Sequence, residues 1–463
     1  VQAPFVHWMP ARSIALHLPS ILWSTLATWL VYAVGTRLLS SKWRAALACW
    51  LFATGSAFVV FDGVRSQGAY NAALVVGLMA MWLAVRTEGQ PSLSHWLALG
   101  ILTGLGTWLS LVSVYLLAPA ALLIANRARS RLVHPRHLGP ITASALTGWL
   151  IGYSPGLGWA LSHGTLPFAT VQSTDGPVDR LHGLVGGTLP EILGLKWVGA
   201  SSIGPGWLSA AAVSALAALW LYTGVRQRAA VLRLLRLRAR VEDWPAVLHV
   251  AGVVVITCYL VSPFTWFTSE PRYLYLAAPL IVWGLAAAFP PQADRSSRKW
   301  VVLGALLVVA CSLLTATTLQ RAAQRAPSSW SRDFATAADW MGERGVHTAY
   351  ADYRAAYTLD YLSNGRVTTV PFGPAACRLP HLNDVVDNSP VFAYVLSDAD
   401  RREHLAQLAQ HGMQVRDALT TRTLIVLIPV NPDAVRPWQV GLMRPSDRCS
   451  PPDPGYQPSG STT

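Results

Sequence analysis

Residues 262–279, SPFTWFTSEPRYLYLAAP, join two apolar runs, 250–261 and 274–288, each apolar enough to be buried in lipid. Glu270 and Arg272 sit at the junction, with Trp266, Phe267 and Tyr273 around them. Charges at the end of a membrane helix are tolerated at the interface or along a polar cavity, and flanking aromatics favour headgroup level. Pro271 suits the first turn of a following helix, where no amide donor is needed. The stretch reads as the start of a membrane helix with its positive end and Arg272 at the surface, a place suited to hold a phosphate.

The composition agrees with that reading. The chain has 463 residues, 52% hydrophobic and 13% charged, whereas soluble domains carry about 25% charge. It is therefore expected to be a polytopic α-helical membrane protein. Its 36 basic and 23 acidic residues give a net charge of +13. The basic residues concentrate in a few loops between apolar runs, which fits membrane topology and anionic lipid and argues against nucleic acid as a partner. Five cysteines without a CxxC pair argue against a structural zinc site. The chain has no Walker loop, dinucleotide fingerprint or GxSxG, so nucleotide-driven transport and serine hydrolysis find no support.

The apolar runs predict about ten transmembrane helices. They fall near residues 14–38, 43–61, 69–85, 95–109, 111–126, 139–162, 206–224, 246–263, 272–290 and 299–318. The fourth and fifth are short and read as a hairpin entering from one side. Four basic segments, 37–44, 127–136, 226–240 and 295–299, then share one side, which the positive-inside rule makes cytoplasmic. Segment 226–240 interleaves Leu232, Leu234, Leu235 and Leu237 with arginines and reads as an amphipathic helix on the inner leaflet. The outer side receives residues 1–13, the loop 62–68, the outer loop 163–205, the Glu270–Arg272 corner and everything after about residue 319.

Three regions follow. Residues 1–322 form the multi-helix membrane domain. Residues 323–430 alternate helical and strand patterns and predict a small extracytoplasmic α/β domain. Its expected helices are 330–343, 353–362 and 400–411, and its expected strands 347–350, 367–370, 391–395 and 423–430. Residues 431–463 are rich in Pro, Ser and Gly and read as a disordered tail. Cys377 and Cys449 both fall on the outer side, where a disulfide persists; whether they pair is left open. Cys49, Cys258 and Cys311 read as packed within helices.

The order of these segments resembles the GT-C glycosyltransferases, in particular the bacterial protein O-mannosyltransferase and aminoarabinose-transferase type. Residues 11–50, ARSIALHLPSILWSTLATWLVYAVGTRLLSSKWRAALACW, resemble the family's segment with an R-x-P-S-type start, with His17 where Arg is usual. Residues 98–119, ALGILTGLGTWLSLVSVYLLAP, resemble its Gly-rich hairpin. GYSPGLGWALSHG (152–164) and RLHGLVGGTLPEILGLK (180–196) resemble the helix before the outer loop and the loop itself. EPRYLYLAAPL (270–280) is similar to the recurring RYL-led segment, and YADYRAAYTLDYLSNGRV (350–367) to the soluble C-terminal domain. The family places an essential acid in an outer loop after its first span. Residues 1–13 hold no Asp or Glu, so the chain reads as a member lacking that span and its acidic loop, and as inactive in this form.

Glycosyl transfer of this kind needs a carboxylate to deprotonate the acceptor and cations or a metal to stabilise the leaving phosphate. Arg272 is the first candidate for the donor phosphate; the plainer alternative is a snorkelling arginine at a helix end. Arg65 in FDGVRSQGAY and Lys196 after the outer-loop helix are the further phosphate candidates. Glu270, Tyr273 and Tyr70 are the candidates for substrate binding, against plain rim or turn residues. The catalytic residue itself is unassigned, with Asp62 as a weak substitute. The outer loop also carries His163, Asp175, Asp179, Arg180, His182 and Glu191, whose histidines lack metal-ligand spacing. In the soluble domain Tyr350, Asp352, Tyr353 and Tyr357 either bind acceptor or pack a core.

The resemblance implies inverting transfer from a polyprenyl-phosphate-linked sugar to a lipid, polysaccharide or protein acceptor, on the outer face of the plasma (inner) membrane. No cofactor is assigned, and a divalent metal is left open. The rival reading is a non-catalytic membrane protein that binds lipid-linked glycan or scaffolds an envelope-assembly complex. A transporter is disfavoured by the lack of paired charges within spans and of an internal repeat.

Overall fold

The computed structural model describes residues 3–9, 13–65, 69–163, 176–197, 206–262, 271–290, 298–325, 330–372, 380–397 and 401–443. Contacts divide the chain into residues 17–322 and residues 323–463, the second unit taking in residues 2–16.

The first part of the chain runs through α1 (Ala3–Trp8), α2 (Ser13–Leu38), α3 (Lys42–Thr54), α4 (Ala57–Val64), α5 (Tyr70–Arg86), α6 (Leu93–Leu109), α7 (Val114–Arg127), α8 (Arg129–Leu132) and α9 (Pro135–His163). It continues with α10 (Pro177–Gly183), α11 (Leu189–Ile192), α12 (Gly206–Arg226), α13 (Arg228–Leu235), α14 (Val247–Val261), α15 (Ala278–Ala287) and α16 (Arg298–Arg325). Tight 3-10 turns at Leu111–Ser113, Val241–Ala246 and Pro271–Ala277, and a π turn at Leu184–Thr188, join some of them. Each expected apolar run is helical. Among the described residues, four helices are long and apolar enough to cross a membrane alone, or five if the bent pair α3–α4 is one span. Helices α5, α6 and α7 are shorter apolar elements, so the chain is a polytopic helical protein in which the length criterion yields fewer independent spans than the hydropathy pattern.

The break between α3 and α4 has a local cause. Gly55 ends α3 with its N–H on Leu51 O, and Ser56 starts α4 by accepting from the Val59 N–H. A cap at each side of one peptide stops one helix and starts the next, and the axes bend by 71°.

Helices α6 and α9 lie backbone against backbone. A Cβ added at Gly100 or Gly104 would overlap the carbonyl oxygens of Ala145 and Trp149, and one at Gly148 or Gly152 those of Leu97 and Ile101. Spacing small residues four apart on both partners permits this approach, the usual seam of membrane helices. The expected 95–126 hairpin is thus splayed. Its ends are joined by Arg131, which donates to Gln90 Oε1 at 2.9 Å and Pro91 O at 2.8 Å, but α6 runs along α9 while α7 lies against α5 and α14.

Three of the four basic segments meet at one end of this unit. Arg37, Arg127 and Trp244 line a shared cleft. Asn126 pins the 226–240 segment there: its Nδ2 donates to Leu234 O at 2.8 Å and its Oδ1 accepts from Ala239 N–H at 2.7 Å. The fourth segment, 295–299, lies mostly outside the described residues. The expected amphipathic helix is the short α13, with Leu234 buried and Leu232 and Leu235 exposed. Helix α5 starts at Tyr70 and ends at Arg86; at 1.5 Å per residue its ends are about 25 Å apart. The other end of the bundle gathers α4, α11 and the turn Pro271–Ala277.

The second unit adds α17 (Trp330–Glu343), α18 (Tyr353–Leu362), α19 (Pro380–Asp387) and α20 (Arg401–Gln410) to a sheet of β1 (Thr348–Ala351), β2 (Thr368–Pro371), β3 (Ala393–Ser397), β4 (Val415–Thr420) and β5 (Leu424–Pro429). The strand order is β2-β1-β3-β5-β4. β1 pairs in parallel with β2 and β3, while β3–β5 and β5–β4 are antiparallel. Alternation sorts the side chains. Ala349, Ala351, Val395, Val426 and Ile428 share a core with Phe334 and Met341 of α17 and Leu359 of α18. Tyr350, Tyr394, Leu396 and Leu427 share one with Val386 of α19 and Leu408 of α20.

One boundary differs from expectation. Residues 431–443, assigned above to the disordered tail, fold onto the second of these cores, with Val435, Val440 and Leu442 buried. Arg436 holds them there: Nη1 donates to Val386 O at 3.1 Å, Nη2 to Ser389 O at 2.8 Å, and the guanidinium stacks 4.7 Å from the Phe392 ring. Proline and serine content misled because the segment's few apolar residues include four that are buried, Val435, Val440, Leu442 and Met443.

Candidate functional site

The turn Pro271–Ala277 is the centre of the end opposite the basic cleft. It touches α4, α5, α7, α11, α14 and the π turn Leu184–Thr188. Leu274, Tyr275 and Leu276 are buried within it, while Arg272 and Tyr273 are half-buried. The Arg272 guanidinium lies 5.4 Å from the centre of the Tyr273 ring. The expectation of a helix starting at Pro271 is met by a 3-10 turn that leads into α15. Glu270 lies outside the described residues, as do Cys377 and Cys449.

Asp62 is 3% exposed in α4. The Tyr275 hydroxyl, hydrogen-bonded with Ser24, lies within electrostatic reach of it. Ser24 Oγ also donates to Gly63 O at 2.5 Å, so the small Gly63 lets α2 and the turn come close to the carboxylate's own helix. Asn71 at the start of α5 donates to Asp62 O at 3.1 Å and Arg65 O at 3.4 Å. That bond closes the loop between α4 and α5 and sets the positions of Arg65 and of Tyr70, which is half-buried at the start of α5.

The described part of the outer loop is helical rather than loose. α10, the π turn and α11 run on continuously from residue 177 to 192. Arg180, 4% exposed, donates from Nη1 to the carbonyls of Leu260 and Ser262. A cation on the last carbonyls of α14 is a favourable helix terminus. Glu191 is 3% exposed. Ser56 Oγ at the α3–α4 break lies 3.4 Å from Glu191 O. Gly194, at φ +74°, fits against Ser56 and Gly55, a backbone conformation that favours glycine. Thr188 Oγ1 lies 3.4 Å from Tyr259 OH, and both Arg180 and Glu191 are within electrostatic reach of that hydroxyl.

Lys196 Nζ donates to Gly186 O at 3.1 Å, which curls the end of the loop back on the π turn. The neighbouring Trp197 ring meets Phe61 edge to face, with centroids 5.2 Å apart, and Phe61 in turn carries the Arg65 guanidinium at 5.2 Å. Asp62 on α4 and Tyr70 on α5 thus lie on helices that both touch the turn carrying Arg272 and Tyr273, while Arg65 and Lys196 lie in the segments that follow α4 and α11.

Sequence reasoning named Arg180 and Glu191 only as loop charges. Their burial makes Glu191, beside Asp62, the second carboxylate of this end, and makes Arg180 a helix cap. Among the described residues, no three His, Cys, Asp or Glu side chains group to hold a metal ion. The aromatic residues of the sheet-bearing unit divide. Tyr350 is a core residue whose hydroxyl donates to Asp387, and Asp352 caps α18 through Ala355 N–H at 3.1 Å. Tyr353 and Tyr357 stack edge to face at 5.3 Å, with Tyr353 exposed.

The family model described as dolichyl-phosphate-mannose-protein mannosyltransferase matches residues 5–159, which run from α1 into α9. No curated protein matches the chain in sequence. Two solved structures are loosely similar. One is ArnT from Cupriavidus metallidurans bound to undecaprenyl phosphate, at 14% identity and a TM-score of 0.43 over 92% of this chain and 86% of that one. The other is the apo oligosaccharyltransferase of Archaeoglobus fulgidus, at 12% identity and a TM-score of 0.42 over 85% of this chain and 60% of that one. Over residues 5–159, about a third of its length, the chain is thus similar to the dolichyl-phosphate-mannose-protein mannosyltransferase family.

Proposed function

We propose that the protein transfers a sugar from a polyprenyl-phosphate donor to an acceptor on the outer face of the plasma (inner) membrane, with the soluble unit on that same side. The observation that carries the reading is that two buried acidic residues, Asp62 and Glu191, lie on α4 and α11, both of which touch the turn that bears Arg272. Buried carboxylates at one end of an apolar bundle are costly and mark a working site. The match of residues 5–159 to a family named for a lipid-phosphate sugar donor supports it.

In this reading Asp62 or Glu191 takes the proton from the acceptor hydroxyl as its oxygen attacks the anomeric carbon. The bond from that carbon to the phosphate oxygen breaks, and the phosphate leaves with the electron pair. Arg272 meets the developing charge, with Arg65 and Lys196 at the rim. Tyr70 and Tyr273 offer hydroxyls and ring faces to the sugar, and Glu270 is assigned to the same task. The acceptor is a lipid, polysaccharide or protein.

The test is binding of radiolabelled undecaprenyl phosphate to the full chain in detergent, followed by transfer from a polyprenyl-phosphate sugar. Arg272→Ala should weaken binding by about tenfold or more, and Arg272→Lys should recover part of it. Unchanged binding in Arg272→Ala would overturn the role assigned to that residue.

A further inference from the structure

The far end of the bundle holds a cleft of about 290 Å³ between the ends of α2, α5 and α7 and the turn Val241–Ala246. Arg127 lies in its wall. The Arg127 guanidinium is stacked 4.4 Å from the Trp244 ring, and its Nη1 is buried without a hydrogen-bond partner among the described residues. A buried guanidinium N–H left unmet is costly. Arg37 stands across the cleft and approaches Glu88 only to 4.0 Å, with side chains 55% and 84% exposed. An ion pair that open and that long is weak, so two guanidinium groups face one loosely held carboxylate, and Ser40 adds a hydroxyl at the wall.

Trp244 is itself held in place. Arg233 of α13 donates from Nε to Asp243 Oδ2 at 2.9 Å and from Nη2 to Oδ1, which clamps α13 to the turn that carries Trp244. Leu232 and Leu235 of α13 are exposed, as are Arg228 and Arg236 around them. Exposed leucines among arginines fit a helix lying in the bilayer surface. The same clamp therefore sets the cleft beside that surface, at the level of lipid headgroups.

We infer that this cleft binds the phosphate of an anionic phospholipid headgroup, with Arg127 as its main ligand and Arg37 as the second. A guanidinium fixed flat by an indole presents its remaining N–H groups as a fork that matches phosphate oxygens. Basic pockets between helix ends are a recurring place for such headgroups. Inorganic phosphate shares the chemistry but lacks acyl chains, and the exposed leucines beside the cleft favour the lipid. The site lies a bundle length from Arg272 and uses none of the residues proposed for transfer.

The experiment takes the full chain in nanodiscs of phosphatidylcholine alone, or with phosphatidylglycerol added, and reads thermal unfolding together with the lipid retained in native mass spectrometry. Phosphatidylglycerol should raise the unfolding temperature of the wild type. Arg127→Gln should lose that rise and retain the lipid about tenfold less well. Arg37→Gln, an exposed change that leaves the fold intact, should show a smaller loss and decides the matter if Arg127→Gln does not fold. Arg136→Gln, exposed and outside the cleft, should behave as the wild type. An equal rise in the wild type, Arg127→Gln and Arg37→Gln would overturn the inference. So would an equal rise from inorganic phosphate in phosphatidylcholine discs, which would assign the site to a soluble anion.

Discussion

The rings of Phe61 and Trp197 meet edge to face at 5.2 Å and so tie the loop that carries Arg65 to the loop that carries Lys196. Such a pair is worth about 0.5–1.5 kcal/mol beyond its buried area. Trp197→Ala frees both loops at once and is expected to weaken polyprenyl-phosphate binding by about threefold to tenfold. Trp197→Phe should restore most of it, measured by equilibrium binding in detergent.

Asp62 and Glu191 are to be separated by kinetics. In the proposed transfer, the carboxylate that accepts the proton is worth about 10²–10⁴-fold in kcat. Asp62→Asn and Glu191→Gln are nearly isosteric, so donor binding should persist. One of them should lower kcat by that factor, and the other should change it little. If both leave kcat intact, neither is the base.

The α6–α9 seam tolerates no side chain at its glycines. Gly104→Leu would drive the helices apart and should cost the bundle several kcal/mol, on the order of 3. Gly158→Ala, at a glycine of α9 with open space around it, should leave thermal stability in detergent unchanged. A Gly104→Leu protein as stable as the wild type would show that the two backbones do not meet.

Burial raises the Asp360 carboxyl above the ordinary aspartate value. The folded sheet-bearing unit then holds this proton more tightly than the unfolded chain does. Stability falls as pH rises from the ordinary value, about 3.9, through the raised one, and the deficit remains at neutral pH. Asp360→Asn removes it. The variant should protect the amides of β1 and β2 better than the wild type at pH 7, with the difference vanishing below about pH 4. Hydrogen exchange on the full chain at two pH values reads both arms.

Arg436 gathers two carbonyls and an aromatic face. Arg436→Leu leaves those carbonyls unmet and should destabilise the attachment of residues 431–443 by about 2–3 kcal/mol. Their amide protection should fall while that of α17 stays.

The parts legible in sequence are those with strong short-range pattern. The short apolar runs VFAYV (391–395) and TLIVLIPV (423–430) located β3 and β5, and longer ones gave α2 and α12 within a residue or two, and the start of α16 but not its end seven residues further on. β4 escaped because VRDALT is half polar and largely exposed, an edge strand without an apolar run. α19, PHLNDVVD, is too short to set a helical period. The places of Arg65 just after α4 and of Arg272 in the turn before α15 were legible, because both are local facts of the chain. The burial of Glu191 was not, because it rests on the α3–α4 break 135 residues away in the chain. The pairing of α6 with α9 escaped for a similar reason: glycines four apart show that a helix has a flat face, but not which partner lies on it.

The kink at Gly55 and Ser56 has a further consequence. The backbone at Gly194 packs against it, and Ser56 reaches across to the carbonyl of Glu191. With φ at +74° and a Cβ there falling 3.2 Å from the Ser56 backbone, residue 194 has room for glycine alone, so the 189–197 arm and the bend between α3 and α4 brace each other through a contact that any side chain would pry open.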